Sequence, residues 1–147
     1  MKTSLSGQSL IKSFESCRLK AYRDSIGVWT IGWGSTWYED GTRVQQGDQI
    51  TQERADALFR LVLAEFEIGV ERLLKVKLTQ HQFDALVSFA YNVGLGNLQR
   101  STLLRKVNAN PKDPTIAAEF AKWNRAGGKV LNGLTRRRKA EADLYFL

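Results

Sequence analysis

The chain has 147 residues and a mass of 16.6 kDa, which suits one compact unit or two small lobes sharing a core, and 43% hydrophobic residues suffice to fill it. Lysine and arginine outnumber aspartate and glutamate by 22 to 15, giving +7 and a pI near 9.8, so polyanions are the natural partners: nucleic acid, an anionic membrane or the bacterial wall. The single cysteine, Cys17, excludes an internal disulfide, and the single histidine, His81, leaves no histidine cluster for a metal.

The first residues, Met1-Lys2-Thr3-Ser4-Leu5-Ser6-Gly7-Gln8, lack the apolar segment of a signal peptide, and no run approaches the ~18 apolar residues of a membrane span. The chain is therefore expected to be made and kept in the cytoplasm until something releases it. Ser6 predicts the cap of a first helix over 7–16, with Leu5 and Leu10 as a hydrophobic staple and Leu10, Ile11 and Phe14 as its stripe. Residues 19–33 read as a small hairpin around Asp24-Ser25-Ile26-Gly27. Alternation then places Val28, Thr30 and Gly32 on one face, and Trp29, Ile31 and Trp33 on the other. Residues 35–47 are turn-rich, with a reverse turn at Glu39-Asp40-Gly41-Thr42. Trp29, Trp33, Trp37 and Tyr38 read either as sugar-stacking platforms or as packing.

Thr51 caps a long helix of about 22 residues, or ~33 Å, which Gly69 interrupts. Thr79-Gln80-His81-Gln82 is a capping box opening a buried helix through Phe83, Leu86, Val87, Ala90 and Tyr91, which ends at the glycines of Asn92-Val93-Gly94-Leu95-Gly96. Ser101 starts a short helix to about Asn108. Asp113 and Pro114 open the next, with Ile116, Phe120 and Trp123 as its stripe. A glycine-broken loop covers 124–133, and a last helix runs from Leu134 to about Phe146. The fold class is α+β, predominantly helical with one small β-ribbon.

Three polar side chains converge on the first hairpin. Glu15 ends the apolar run of the first helix. A carboxyl held against Ile11 and Phe14 loses hydration when ionised, which suits a proton donor working near neutral pH. Asp24, in a polar turn, suits an ionised partner, and Thr30 offers a hydroxyl on the following strand. Two carboxylates in unlike surroundings are what glycosidic bond cleavage needs. The same residues also read as a helix-end Glu, a turn-forming Asp and a strand Thr. The basic run Thr135-Arg136-Arg137-Arg138-Lys139 reads as a solvated or structural helix face or as a wall-binding surface. No recognition helix and no basic sheet with interleaved aromatics supports nucleic acid.

Glu15, Asp24 and Thr30 with Gly27-x-x-Thr30-x-Gly32-x-Gly34 resemble the catalytic triad and hairpin of the phage lysozymes, the endolysins of glycoside hydrolase family 24. The resemblance continues through residues 82–94, Ser101-Thr102-Leu103-Leu104, residues 127–134, the run 136–138 and Glu141, and so covers nearly the whole chain in order. It implies one lysozyme-like catalytic domain, with a small lobe over about 15–50, a connecting helix over 52–74, and a helical lobe over 75–147 that includes the N-terminal helix. It implies a muramidase, inverting, that cuts the β-1,4 bond between N-acetylmuramic acid and N-acetylglucosamine in peptidoglycan. In that reading Glu15 protonates the leaving oxygen, Asp24 orients or activates water, and Thr30 helps hold that water. By the same resemblance Gly34, Tyr91, Asn92 and Ser101 line the cleft. No cofactor or metal is implied. The implied partners are peptidoglycan and a holin that releases a monomeric enzyme, without nucleic acid or stable membrane insertion. A lytic transglycosylase on the same bond, and a non-catalytic wall-binding module, are the alternatives; neither needs all three of Glu15, Asp24 and Thr30. Asn132 departs from the proline of many relatives.

Overall fold

A computed structural model describes residues 1–147 and contains seven helices and two small antiparallel ribbons. The chain divides into two compact units, a hairpin unit over Glu15–Glu65 and a helical unit formed by Met1–Phe14 with Phe66–Leu147. No helix is long and apolar enough to cross a membrane. The positive excess belongs to the helical unit, because acidic residues outnumber basic ones in the hairpin unit.

In the hairpin unit, β1 (Arg18–Arg23) pairs antiparallel with β2 (Trp29–Gly32), with Arg18 opposite Gly32 and Tyr22 opposite Thr30. The count between those pairs is unequal, so β1 carries an irregularity that bends it. Its outer edge is covered by the segment 48–50, through Ala21 N to Asp48 O at 2.9 Å and Ile50 N to Leu19 O at 2.9 Å. Ile31, Val44, Ile50, Ala55 and Leu58 form the core of this unit, and Trp29, Trp33 and Tyr38 pack against it. The expected reverse turn is present: Gly41 N donates to Tyr38 O and Asp40 Oδ1 accepts from Thr42 N.

Helix α1 spans Leu5–Phe14, two residues earlier than the periodicity predicts, and Ser4 rather than Ser6 caps it. The reason is tertiary. Asp84 accepts from both the amide and the hydroxyl of Ser4, which fixes the entry to the helix there. Gly7 is required beside this contact, since a Cβ would lie 2.6 Å from Thr3 Cγ2 and 2.7 Å from Asp84 Cγ. Helix α2 (Gln52–Leu73) begins in the hairpin unit, where Thr51 Oγ1 accepts from Arg54 N, and ends in the helical unit. Gly69 is not a tolerated interruption but a contact position. A Cβ there would meet Leu95 Cδ1 at 2.3 Å.

Helix α3 (Gln80–Val93) opens with the expected capping box and closes at Gly94, whose φ of 92° only glycine adopts easily. A further helix follows that the glycines hid, α4 (Leu95–Arg100). Helix α5 (Thr102–Ala109) starts at Ser101 as expected. Helix α6 (Ile116–Ala121) starts later than Asp113 and Pro114 suggest, because the Asp113 carboxylate bonds the amide and hydroxyl of Thr115 and closes a separate turn first. In place of a plain loop, β3 (Arg125–Ala126) and β4 (Lys129–Val130) form a minimal ribbon whose two-residue Gly127-Gly128 turn has both φ angles positive. Helix α7 (Asn132–Tyr145) completes the chain. Phe89 meets Phe120 and Trp123 edge-on at 5.7 and 5.5 Å, and Tyr145 packs on Phe120 at 5.8 Å, so α3, α6 and α7 share one core with Trp123 beside it.

The basic run on α7 is not a surface. Arg137 and Arg138 are buried, and so is Glu141, the carboxylate that holds both. Arg137 Nε lies 3.2 Å from Glu141 Oε2 and Arg138 Nε 2.9 Å from Oε1. Ser88 Oγ donates to the same carboxylate, and Arg138 also donates to Asn92 Oδ1 at 2.8 Å. Each guanidinium lies over an aromatic ring, Arg137 on Phe14 and Arg138 on Phe89. Only Arg136 and Lys139 face solvent, and Lys139 pairs with Asp143. Removing one partner of a buried pair strands the others, so Glu141→Gln should lower unfolding free energy by about 3–5 kcal/mol. Urea titration of the two proteins measures it, and a loss below ~1 kcal/mol would show that the pair is not the element holding α7 to α3.

Candidate active site

The three sequence-predicted residues fall within the hairpin unit, and two of them share one backbone residue. The turn after β1 is closed by Asp24 N to Val28 O at 3.0 Å and Gly27 N to Asp24 O at 3.0 Å, with Gly27 at φ +86°. That turn pins the Asp24 carboxylate by one oxygen only. Oδ1 accepts from Ile26 N at 3.0 Å and from Val28 N at 2.8 Å, while Oδ2 accepts nothing from the protein. Thr30, 4% exposed, donates its hydroxyl proton to Val28 O at 2.9 Å. A carbonyl can only accept, so the proton of Thr30 is committed and its Oγ1 is left as an acceptor.

The hairpin therefore offers two oxygens with lone pairs and no available hydrogens, Asp24 Oδ2 and Thr30 Oγ1. Any water bonded to either oxygen can only donate to it. Glu15, partly buried, follows directly on the last residue of α1.

Tyr22 is the residue that the sequence reading missed. Its Cα is paired with Thr30 across the ribbon, so the two side chains share a face, and Asp24 lies two positions further along. The Tyr22 phenol is pushed above its ordinary range, first by burial, then by the negative charge of Glu15, against the opposing pull of Arg18, with Asp24 adding a further push. The signal was present in the sequence as strand alternation. What masked it is that an aromatic residue on a strand reads as packing.

The candidate glycan contacts are distributed. Gly34 lies in the hairpin unit at φ +95°, in a tight loop closed by reciprocal bonds between Ile31 and Ser35 at 2.8 and 2.9 Å. Tyr91, Asn92 and Ser101 belong to the helical unit. Tyr91 packs against Phe66 with ring centroids 5.3 Å apart. Asn92 is held by Arg138, and Ser101 caps α5 by accepting from Leu104 N while donating to Leu98 O at 2.6 Å. Of the four aromatics read as possible sugar platforms, Trp29, Trp33 and Tyr38 serve as packing. The Trp33 indole also donates to Asp56 at 2.8 Å. Trp37 is 47% exposed and has the Arg43 guanidinium 4.3 Å from its ring centre.

Comparison with known proteins places these features in a family. Residues 12–141 match the phage lysozyme family. The chain is 50% identical over 147 residues to the endolysin of Bacillus phage B103, covering 99% of itself and 54% of that protein. It thus spans about half the length of the Bacillus phage relatives it matches. Among solved structures, an endolysin from Escherichia coli O157:H7 phage FAHEc1 superposes with a TM-score of 0.89 at 39% identity, over 99% of this chain and 93% of that one. The muramidase domain of SpmX from Asticaccaulis excentricus gives 0.86 at 38% identity, over 99% and 98%.

Proposed function

Since the chain belongs to the phage lysozyme family, we propose that it is a peptidoglycan hydrolase that cuts the β-1,4 bond between N-acetylmuramic acid and N-acetylglucosamine by the inverting route. Glu15 donates a proton to the leaving oxygen. Asp24 Oδ2 and Thr30 Oγ1 hold the attacking water by both its hydrogens, and the Asp24 carboxylate takes its proton as the new C–O bond forms on the face opposite the departing sugar. Gly34, Tyr91, Asn92 and Ser101 complete the proposal as contacts to the glycan. Host-wall lysis by a monomer, released by a holin, belongs to the same reading.

One observation carries the inverting assignment: the Thr30 proton is committed to Val28, which makes Thr30 a second acceptor alongside a carboxylate oxygen that no protein group occupies. A carboxylate that attacked the sugar itself would have no use for that second acceptor. Inverting enzymes keep their two carboxyls about 6.5–9.5 Å apart, and the retaining arrangement closes this to about 5–5.5 Å.

The test is the chemistry of the ends. Peptidoglycan digested with the protein, reduced and resolved by mass spectrometry should yield muramic acid at every new reducing end. Glucosamine at those ends would move the cleavage to the other bond. Anhydro ends would make the protein a transglycosylase, and intact glycan a binding module.

A further inference from the structure

We propose that Tyr22 is a substrate-contacting residue of this reaction, its hydroxyl engaging the sugar held between Glu15 and Asp24. The proposal rests on the glycan-hydrolysis reading above and adds to it a residue that the three-residue constellation does not include.

The ribbon register is the first support. Tyr22 stands directly opposite Thr30, on the face that also carries Asp24. Any sugar close enough for a water on Thr30 and Asp24 to attack must lie over that face. The second support is the state of the hydroxyl. Tyr22 is half-buried, yet its hydroxyl makes no hydrogen bond within the protein, and its ring has the Arg18 guanidinium 4.6 Å from the centroid. The hydroxyl is not sealed from solvent, so a bound sugar can reach it and offer it hydroxyl and amide partners. Third, the environment keeps it neutral. Burial and the carboxylates of Glu15 and Asp24 disfavour the phenolate, so across the working range Tyr22 can both donate and accept.

Arg18 accounts for the ring's placement. A guanidinium on the aromatic face holds the ring by cation–π attraction and packing. The hydroxyl at the far end is thereby aimed without being consumed. This division, a ring fixed by one residue and a tip left open, separates a positioned contact from an ordinary packing tyrosine.

The sugar at the point of cleavage flattens on the way to its oxocarbenium-like transition state. A contact to that ring therefore tightens during reaction more than during binding. Tyr22→Phe, which removes one oxygen and leaves the ring under Arg18, should lower kcat about tenfold with KM within twofold and with the melting temperature unchanged. Arg18→Met is the companion variant: it removes the guanidinium that holds the ring and keeps the hydroxyl, so kcat should fall in the same direction but by less, about two- to fivefold. Both are measured on soluble glycan oligomers, so that wall binding does not enter. An unchanged kcat in Tyr22→Phe, or a loss appearing only in KM, would overturn the assignment. Failure of the unmodified protein to cut those oligomers would instead strike the hydrolase reading, so the two failures are distinguishable.

Discussion

Replacing Glu15 with glutamine should reduce turnover on peptidoglycan by at least about 100-fold, within the 10²–10⁴ that a positioned general acid contributes. The substitution keeps the shape of the side chain and removes the only thing the reaction asks of it, a transferable proton. Glu15 lies just beyond α1 and the substitution is nearly isosteric, so the variant should fold like the parent and melt within a few degrees of it. A residue that merely ended a helix would tolerate the change in full. Initial rates on purified walls, taken beside a circular-dichroism melt, distinguish the outcomes, and a folded variant retaining more than a few per cent of the rate would remove Glu15 from the mechanism.

Asp24→Asn is the sharper experiment, because the competing explanation of Asp24 predicts the opposite result. As a turn former, Asp24 uses one oxygen to bond Ile26 N and Val28 N. Asparagine closes such turns equally well with its carbonyl oxygen. The hairpin should thus be preserved, while the position of Oδ2 becomes an NH₂ group. A donor then faces the water where an acceptor stood, and the negative charge opposite the developing oxocarbenium ion is gone. We expect a fall of about 10²–10⁴ in kcat with KM nearly unchanged, since the lost interaction belongs to the transition state. If the variant instead retained most of its rate, the turn would be the whole function of Asp24. Steady-state kinetics on glycan oligomers, with the thermal melt as a folding control, decides between these.

The parts of the molecule that were legible in the sequence are those fixed by local chemistry. The α3 capping box, the α5 cap at Ser101 and the hairpin turn at Gly27 all follow from residues a few positions apart, whose hydrogen bonds close within the segment itself. What escaped reading depends on partners far along the chain. The early start of α1 is set by Asp84, eighty residues away from Ser4. The burial of Arg137 and Arg138 depends on Glu141, Ser88 and two aromatic rings, none of which alters the way a run of arginines reads by composition. Short elements were lost for a different reason. Helix α4 and the β3–β4 ribbon contain or adjoin glycines that read as breakers, although here they supply the positive φ angles that let helix and ribbon begin or turn.

At the site, residue types and spacing pointed to Glu15, Asp24 and Thr30, but not to how each is held. That Asp24 is anchored through a single oxygen, and that Thr30 has spent its proton on Val28, are facts of hydrogen-bond geometry. They matter because, in the reading proposed above, they turn a list of three polar residues into a statement about direction: hydrogens of water go to the protein, and its lone pair goes to the sugar.

That statement fixes the configuration of the product. Proton NMR of soluble peptidoglycan oligomers, recorded in the first minutes of digestion before the anomers equilibrate, should show the new muramic acid reducing end appearing as the α-anomer. Appearance of the β-anomer first would contradict the account, because it would require Asp24 to bond to the sugar rather than to direct a water at it.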